Sequence, residues 1–263
     1  MKKILSLLVM SFVLLSASFS SFGATQTIQA DLDVGIVNVE YSTLSTSKVL
    51  LLVEKDGERY SYPIVDTDVN QFPLQLGNGT YTVRLMQNTT GNSYKELTKT
   101  SVTLNLSNSN IVYLNSIQEI EWNEDTLAVQ KAAELTKNLT SDEAKVKAIY
   151  NYITKNYKYD YNKAKTVTSG YFPNVDSTYT TKFGICYDYS ALFAAMTRSV
   201  GIPTKLIKGY STNTGDIYHA WNEVFINGTW KTVDTTVDAS YVQANKTISM
   251  YKLAKDYSVS KVY

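Results

Sequence analysis

One cysteine, Cys186, and one histidine, His219, stand in a chain of 263 residues, with Asp234 fifteen positions after the histidine. A thiol, an imidazole and a carboxylate brought together can perform acyl transfer: the sulfur attacks a carbonyl, the ring moves a proton and the carboxylate orients the ring. Other chemistries are harder to build. A lone cysteine allows neither an intramolecular disulfide nor a Cys-rich zinc site, and no carboxylates are spaced as in an EF-hand loop or an HExxH helix, so neither metal nor cofactor is expected. Lys and Arg total 25 against 24 Asp and Glu, which leaves no positive field or basic run for nucleic acid.

The elements around these residues decide whether they can meet. After Cys186, residues Tyr189, Leu192, Phe193, Met196 and Val200 recur at helical spacing, and Gly201 and Pro203 end the run. The cysteine is therefore predicted at a helix N-terminus, where unpaired amides and the positive dipole end favour a thiolate. A small buried filler is the competing role; the polar neighbours Tyr187 and Asp188 and a position off the apolar stripe speak against it. Ile217 to Ile226 and Thr229 to Thr236 flank Asn227-Gly228, a strong two-residue hairpin signal. Counting back from the turn opposes Phe225 to Trp230, Glu223 to Thr232 and Trp221 to Asp234. His219 shares that parity and becomes a diagonal neighbour of Asp234, roughly 7–8 Å away at the backbone. A one-residue bulge would put the carboxylate on the wrong face.

Farther out, the chain changes character near residue 118. From about Thr25 to Asn115 the pattern has period two, in Lys48–Glu54, Arg59–Ile64, Tyr81–Met86, Ser101–Leu106 and Ile111–Leu114. Turn signals at Asp56-Gly57, Gly77-Asn-Gly79 and Gly91-Asn92 separate these runs, which suits an antiparallel sandwich of immunoglobulin or fibronectin-III type over residues 24–117. Beyond Trp122 the period is helical. Leu127, Lys131, Ala132 and Leu135 mark one helix, and Thr140-Ser-Asp-Glu143 reads as a capping box before a second helix carrying Val146, Ile149 and Ile153. A Tyr-, Ser- and Thr-rich loop from about 157 to 182 is long enough to be functional or partly structured, and it could wall a cleft.

The first residues speak to compartment. Lys2 and Lys3 precede the apolar run Ile4–Leu15, and Ser21-Phe-Gly-Ala24 reads as a cleavage site, so residues 1–23 are expected to be an export signal. The run is shorter than the ~20 apolar residues of a membrane span, and no integral span is expected after cleavage. Loss of both lysines takes the net charge from +1 to about −1. A released or loosely surface-associated protein is expected.

Several stretches together resemble a known family. Gly184-Ile-Cys-Tyr-Asp-Tyr-Ser190, Arg198-Ser-Val-Gly-Ile-Pro203, Gly209-Tyr210, His219-Ala-Trp221, Asn227-Gly-Thr-Trp230 and Val233-Asp-Thr235 are similar to the core of the transglutaminase-like superfamily. The segment Lys145–Asp160 resembles the helix that this family places before its nucleophile. The likeness covers about residues 140–240 and leaves out the N-terminal strands. It implies an α+β fold over 118–263, with helices packed on an antiparallel sheet in a papain-like core, as in secreted bacterial-type members. It also implies that Cys186 attacks, His219 activates and protonates, and Asp234 orients, the same roles the residues suggest by themselves.

An oxyanion needs two donors, the backbone N–H of Cys186 and a second group, for which Tyr159 is the candidate from its place in the resembling segment. Trp221 and Tyr187 are expected to wall the site, Trp221 over the His–Asp pair. A thioester can be resolved by water or by an amine. Hydrolysis of an extracellular peptide, protein or cell-wall peptide amide is favoured, with protein cross-linking as one alternative and a non-catalytic surface-binding module, presenting some of the 21 tyrosines, as the other.

Overall fold

The structure is a computed structural model describing residues 25–42, 47–65 and 70–263. The expected export segment lies outside these residues. Alternating apolar positions build seven strands first: β1 (Thr25–Asp31), β2 (Ile36–Ser42), β3 (Val49–Lys55), β4 (Glu58–Pro63), β5 (Asn70–Pro73), β6 (Gly79–Thr90) and β7 (Ser93–Leu104). They form two antiparallel sheets, ordered β1-β2-β5 and β4-β3-β6-β7. Inward residues of both sheets, among them Val37, Val39, Leu51, Val53, Phe72, Val83 and Leu85, share one core, as in a sandwich. Asp56-Gly57 closes the β3–β4 hairpin with φ of 52° and 84°, the left-handed pair that a two-residue turn of this kind demands. The Tyr81 hydroxyl donates to the carbonyls of Leu74 (2.8 Å) and Gly77 (2.7 Å). This is the tyrosine corner of immunoglobulin-like sandwiches, and it pins the turn before β6.

The run Ile111–Leu114, expected as a strand, is instead a 3-10 turn over Ser109–Leu114. The Asn108 side chain caps it at the Asn110 amide, and the Asn115 amide closes on the carbonyls of Ile111 and Val112. Two asparagines satisfy the backbone locally in place of a strand ladder.

The second half begins with α1 (Leu127–Thr136) and α2 (Asp142–Asn156). In α1 the buried face is Ala128, Ala132 and Thr136, while Leu127 is 46% exposed, one position off the stripe expected for it. In α2 the cap is Ser141, whose hydroxyl accepts from the Ala144 amide, and not Thr140; Val146, Ile149 and Ile153 are buried as expected. The 157–182 stretch carries β8 (Lys158–Tyr159), α3 (Tyr161–Thr166) and α4 (Val175–Thr181). Next come β9 (Phe183–Gly184), paired in parallel with β8, then α5 (Cys186–Arg198), β10 (Thr204–Ser211), β11 (Ile217–Ile226), β12 (Thr229–Val233), α6 (Thr235–Gln243) and β13 (Tyr257–Val262). The sheet order is β12-β11-β10-β13, all antiparallel.

Helix α5 is the centre of this half: Leu192, Phe193, Ala194, Ala195 and Met196 are all fully buried. Against the sheet, the Asn222 amide donates to the carbonyls of Ser190 and Lys205, tying helix to strands. At the far end of α5, the buried Arg198 guanidinium donates to the carbonyls of Thr204, Asn115 and Tyr263. One side chain thus joins the helix, the linker after the sandwich and the end of β13. Tyr263 packs against the cores of both halves.

Candidate active site

The Asn227-Gly228 turn sets the register as counted, from Ile226↔Thr229 through Phe225↔Trp230 and Glu223↔Thr232 to Asn222↔Val233. No bulge intervenes, and parity carries through to the functional pair. His219 Nε2 lies 2.8 Å from Asp234 Oδ2, with the histidine 6% exposed and the aspartate 0%. Asp234 ends the strand and caps α6, its Oδ1 accepting from the Val237 amide at 3.1 Å. The carboxylate is thereby fixed at both oxygens.

Cys186 is the first residue of α5 and is partly exposed. Its side chain acts on the His219 ring, whose Nε2 is turned to Asp234. Burial opposes a charged ring at His219, but the hydrogen bonds and charges of Asp234 and Cys186 outweigh it and push the imidazolium up to about 10. The three residues singled out from the sequence are therefore brought to one site, with His219 acted on by both Asp234 and Cys186.

What holds the cysteine in place is the third residue of its helix. Asp188, fully buried, accepts from the Ile185 amide (2.8 Å) and from Lys163 Nζ (2.7 Å), and also from the Tyr171 hydroxyl. A carboxylate in the first turn satisfies an orphan amide and complements the helix dipole. Gly184 is required beside it, since a Cβ there would sit 2.6 Å from the Asp188 Cβ. Lys163 and Tyr171 come from the 157–182 stretch, which is thus fastened to the nucleophile's helix.

Tyr159 lies on β8 opposite Gly184, and the Asp160 amide donates to the Gly184 carbonyl. Burial, and then the field of Cys186, raise its hydroxyl to about 12, so it stays protonated. Trp221 is 1% exposed and stacks on the His219 ring at 6.2 Å and 23°. Tyr187 is buried, edge-on to Tyr171, with its ring 3.6 Å from Lys208 Nζ. It lies toward Glu119 and Tyr263, whose charges act on its hydroxyl.

Some residues in and around the site carry no signal in local pattern. The Tyr257 hydroxyl donates to Asp234 Oδ2 at 3.0 Å, and its ring packs on Trp221 at 4.9 Å. Lys208 sits within the field of Cys186 and of the buried Glu119; burial dominates and lowers its ammonium to about 8. Asp188 alone could have been found, from a carboxylate at the third position of a predicted helix. Among the described residues no group of three or more His, Cys, Asp or Glu could hold a metal ion.

Residues 129–235 match the transglutaminase-like superfamily. Among curated proteins, the chain is 31% identical over 113 residues to the kyphoscoliosis peptidase of Mus musculus, covering 40% of this chain and 17% of that one. It is 30% identical over 136 residues to the UPF0252 protein MJ1282 of Methanocaldococcus jannaschii, covering 46% and 39%. It thus spans well under half the length of either relative. Among solved structures, a candidate cysteine protease from Cytophaga hutchinsonii shares 18% identity over 88% of this chain and 84% of that one, at a TM-score of 0.44. The periplasmic domain of TgpA from Pseudomonas aeruginosa shares 15% over 78% and 90%, at 0.40. The matched segment contains Cys186 and His219 and ends just past Asp234; by this segment the chain carries a domain of the transglutaminase-like superfamily.

Proposed function

We propose that the protein is a cysteine-dependent acyl-transfer enzyme that cleaves peptide or protein amides through a thioester on Cys186, with hydrolysis ahead of amine transfer. The observation that carries this reading is the buried His219–Asp234 pair, 2.8 Å apart, with Cys186 acting on the same ring from a helix N-terminus. Superfamily members are cysteine-dependent enzymes, which supports it. In the proposed reaction the Cys186 thiolate attacks the amide carbon. The oxyanion is met by the Cys186 amide and the Tyr159 hydroxyl, and His219 gives its proton to the departing amine. Water, deprotonated by His219, then opens the thioester and releases the acid. Trp221 covers the ring and limits competing solvent.

The proposed setting is extracellular, after removal of residues 1–23, on peptide, protein or cell-wall peptide substrates. No helix among the described residues is long and apolar enough to cross a membrane.

The test is the pH dependence of Cys186 alkylation by iodoacetamide, for wild type and His219→Ala, followed by mass spectrometry of peptide amides incubated with and without a primary amine. Fast labelling well below the ~8.5 of a free thiol, lost in the variant, and acid products in both incubations are expected. Labelling like a free thiol in both proteins would overturn the catalytic reading. Products found only with amine would replace hydrolysis by cross-linking.

A further inference from the structure

Asp234 orients His219 only if the carboxylate is itself held. Its Oδ1 is fixed by the Val237 amide, but Oδ2, the oxygen that binds the ring, has a second donor from outside the hairpin, the Tyr257 hydroxyl at 3.0 Å. The fold makes particular provisions for that contact. Tyr257 opens β13, an edge strand whose pairing with β10 shifts register between Lys208 and Gly209: Lys208 opposes Lys261 while Gly209 opposes Val259. The extra residue is a bulge, the usual device for re-aiming side chains near a site. Gly209 permits the close passage, since a Cβ there would lie 2.0 Å from the Ser258 carbonyl oxygen and 2.8 Å from Trp221. The tyrosine ring is clamped on Trp221, and the Asn213 amide donates to its oxygen at 3.4 Å, leaving the phenolic proton for Asp234. The other titratable groups acting on Asp234, Tyr150 and Asp238, are bonded to each other, and Asp238 also to Lys252.

We propose that Tyr257 is a positioning residue of the site: its hydroxyl, delivered by the bulged strand β13, shares Asp234 Oδ2 with His219 and sets both the angle of the carboxylate and the fraction of its charge felt by the ring. The proposal builds on the acyl-transfer reading and concerns a residue beyond the matched segment 129–235. Its consequence is that His219 is kept a better acid than a lone Asp–His pair would make it, which helps the amine to leave.

The chain holds a single histidine, so nuclear magnetic resonance of a labelled imidazole reads this site alone and needs no substrate. In Tyr257→Phe the ring packing stays and the donor goes; the whole carboxylate charge then falls on His219, and its titration midpoint rises by about half a pH unit or more. Turnover of an amide drops about tenfold at unchanged KM, while a substrate with a good leaving group is less affected. Should that variant fold poorly, 3-fluorotyrosine at 257 keeps ring and hydroxyl, makes a stronger donor, and moves the midpoint downward. Midpoints that coincide with wild type in the folded proteins would overturn the proposal. The acyl-transfer reading fails separately, on wild-type labelling that matches His219→Ala, and the imidazole titration decides the role of Tyr257 in either case.

Discussion

Three donors converge on Asp234 among the described residues, though the side chain has no solvent exposure. Such a buried carboxylate is tolerable only because each is in place, and the His219 ring is charged only because the carboxylate is there. Asp234→Ala removes the main counter-charge and leaves burial, the largest influence on the ring, opposed by Cys186 alone. The His219 midpoint should fall from about 10 to below that of a free imidazole, a change that titration of the single histidine would register directly. The sign for stability follows. A ring held above its unfolded value stabilises the fold fully below about 6.5, and the contribution fades as pH rises toward 10. Wild type should therefore show an alkaline decline in stability that Asp234→Ala lacks, read by thermal unfolding between pH 6.5 and 10. At this scale the sequence was most informative: strand parity placed His219 and Asp234 together because a two-residue turn leaves no freedom of register.

Elements held by local signals were legible, and elements held by distant partners were not. The helix behind Cys186, the β11–β12 hairpin and most of the sandwich strands announce themselves through period and turn residues. Ile111–Leu114 has the composition of a strand, but its asparagine neighbours satisfy its backbone locally and hold it in a 3-10 turn. Strand β13 is weaker still as a pattern, since it pairs with a strand some fifty residues earlier across a bulge. Its position rests on Gly209. Gly209→Ala should push β13 away from β10 and cost about 1–3 kcal/mol, as overpacking does, measured by urea denaturation. The same variant should raise the His219 midpoint as Tyr257→Phe does, because the hydroxyl moves off Asp234. An unperturbed imidazole in folded Gly209→Ala would mean that the strand tolerates the added methyl without shifting Tyr257.

The two halves of the molecule meet over charges that water does not reach. Glu119, just after the sandwich, is 3% exposed with its Oε2 unpartnered, and burial raises its carboxyl to about 7 against the pull of Lys208 and Arg198. An acid raised in this way binds its proton more tightly folded than unfolded. Stability it contributes is present at low pH and lost as pH climbs from the ordinary carboxylate range toward 7. Glu119→Gln should flatten that decline, and thermal unfolding at intervals between pH 4.5 and 7.5 would show whether the slope survives. Composition hinted at none of this, because a buried carboxylate at a junction looks in sequence like any solvated glutamate. The same junction limits how the protein can be divided. Residues 257–263 reach Asp234 through Tyr257, Arg198 through the Tyr263 carbonyl, and the sandwich through the Val262 amide on the Tyr60 hydroxyl and Lys261 on the Arg59 carbonyl. A cassette cut to the matched boundaries, 129–235, would keep sulfur, ring and carboxylate and still lack two of the three donors on that carboxylate, the Val237 amide and the Tyr257 hydroxyl. The smallest portable unit is larger than the superfamily motif, and grafting it elsewhere means carrying its last strand along.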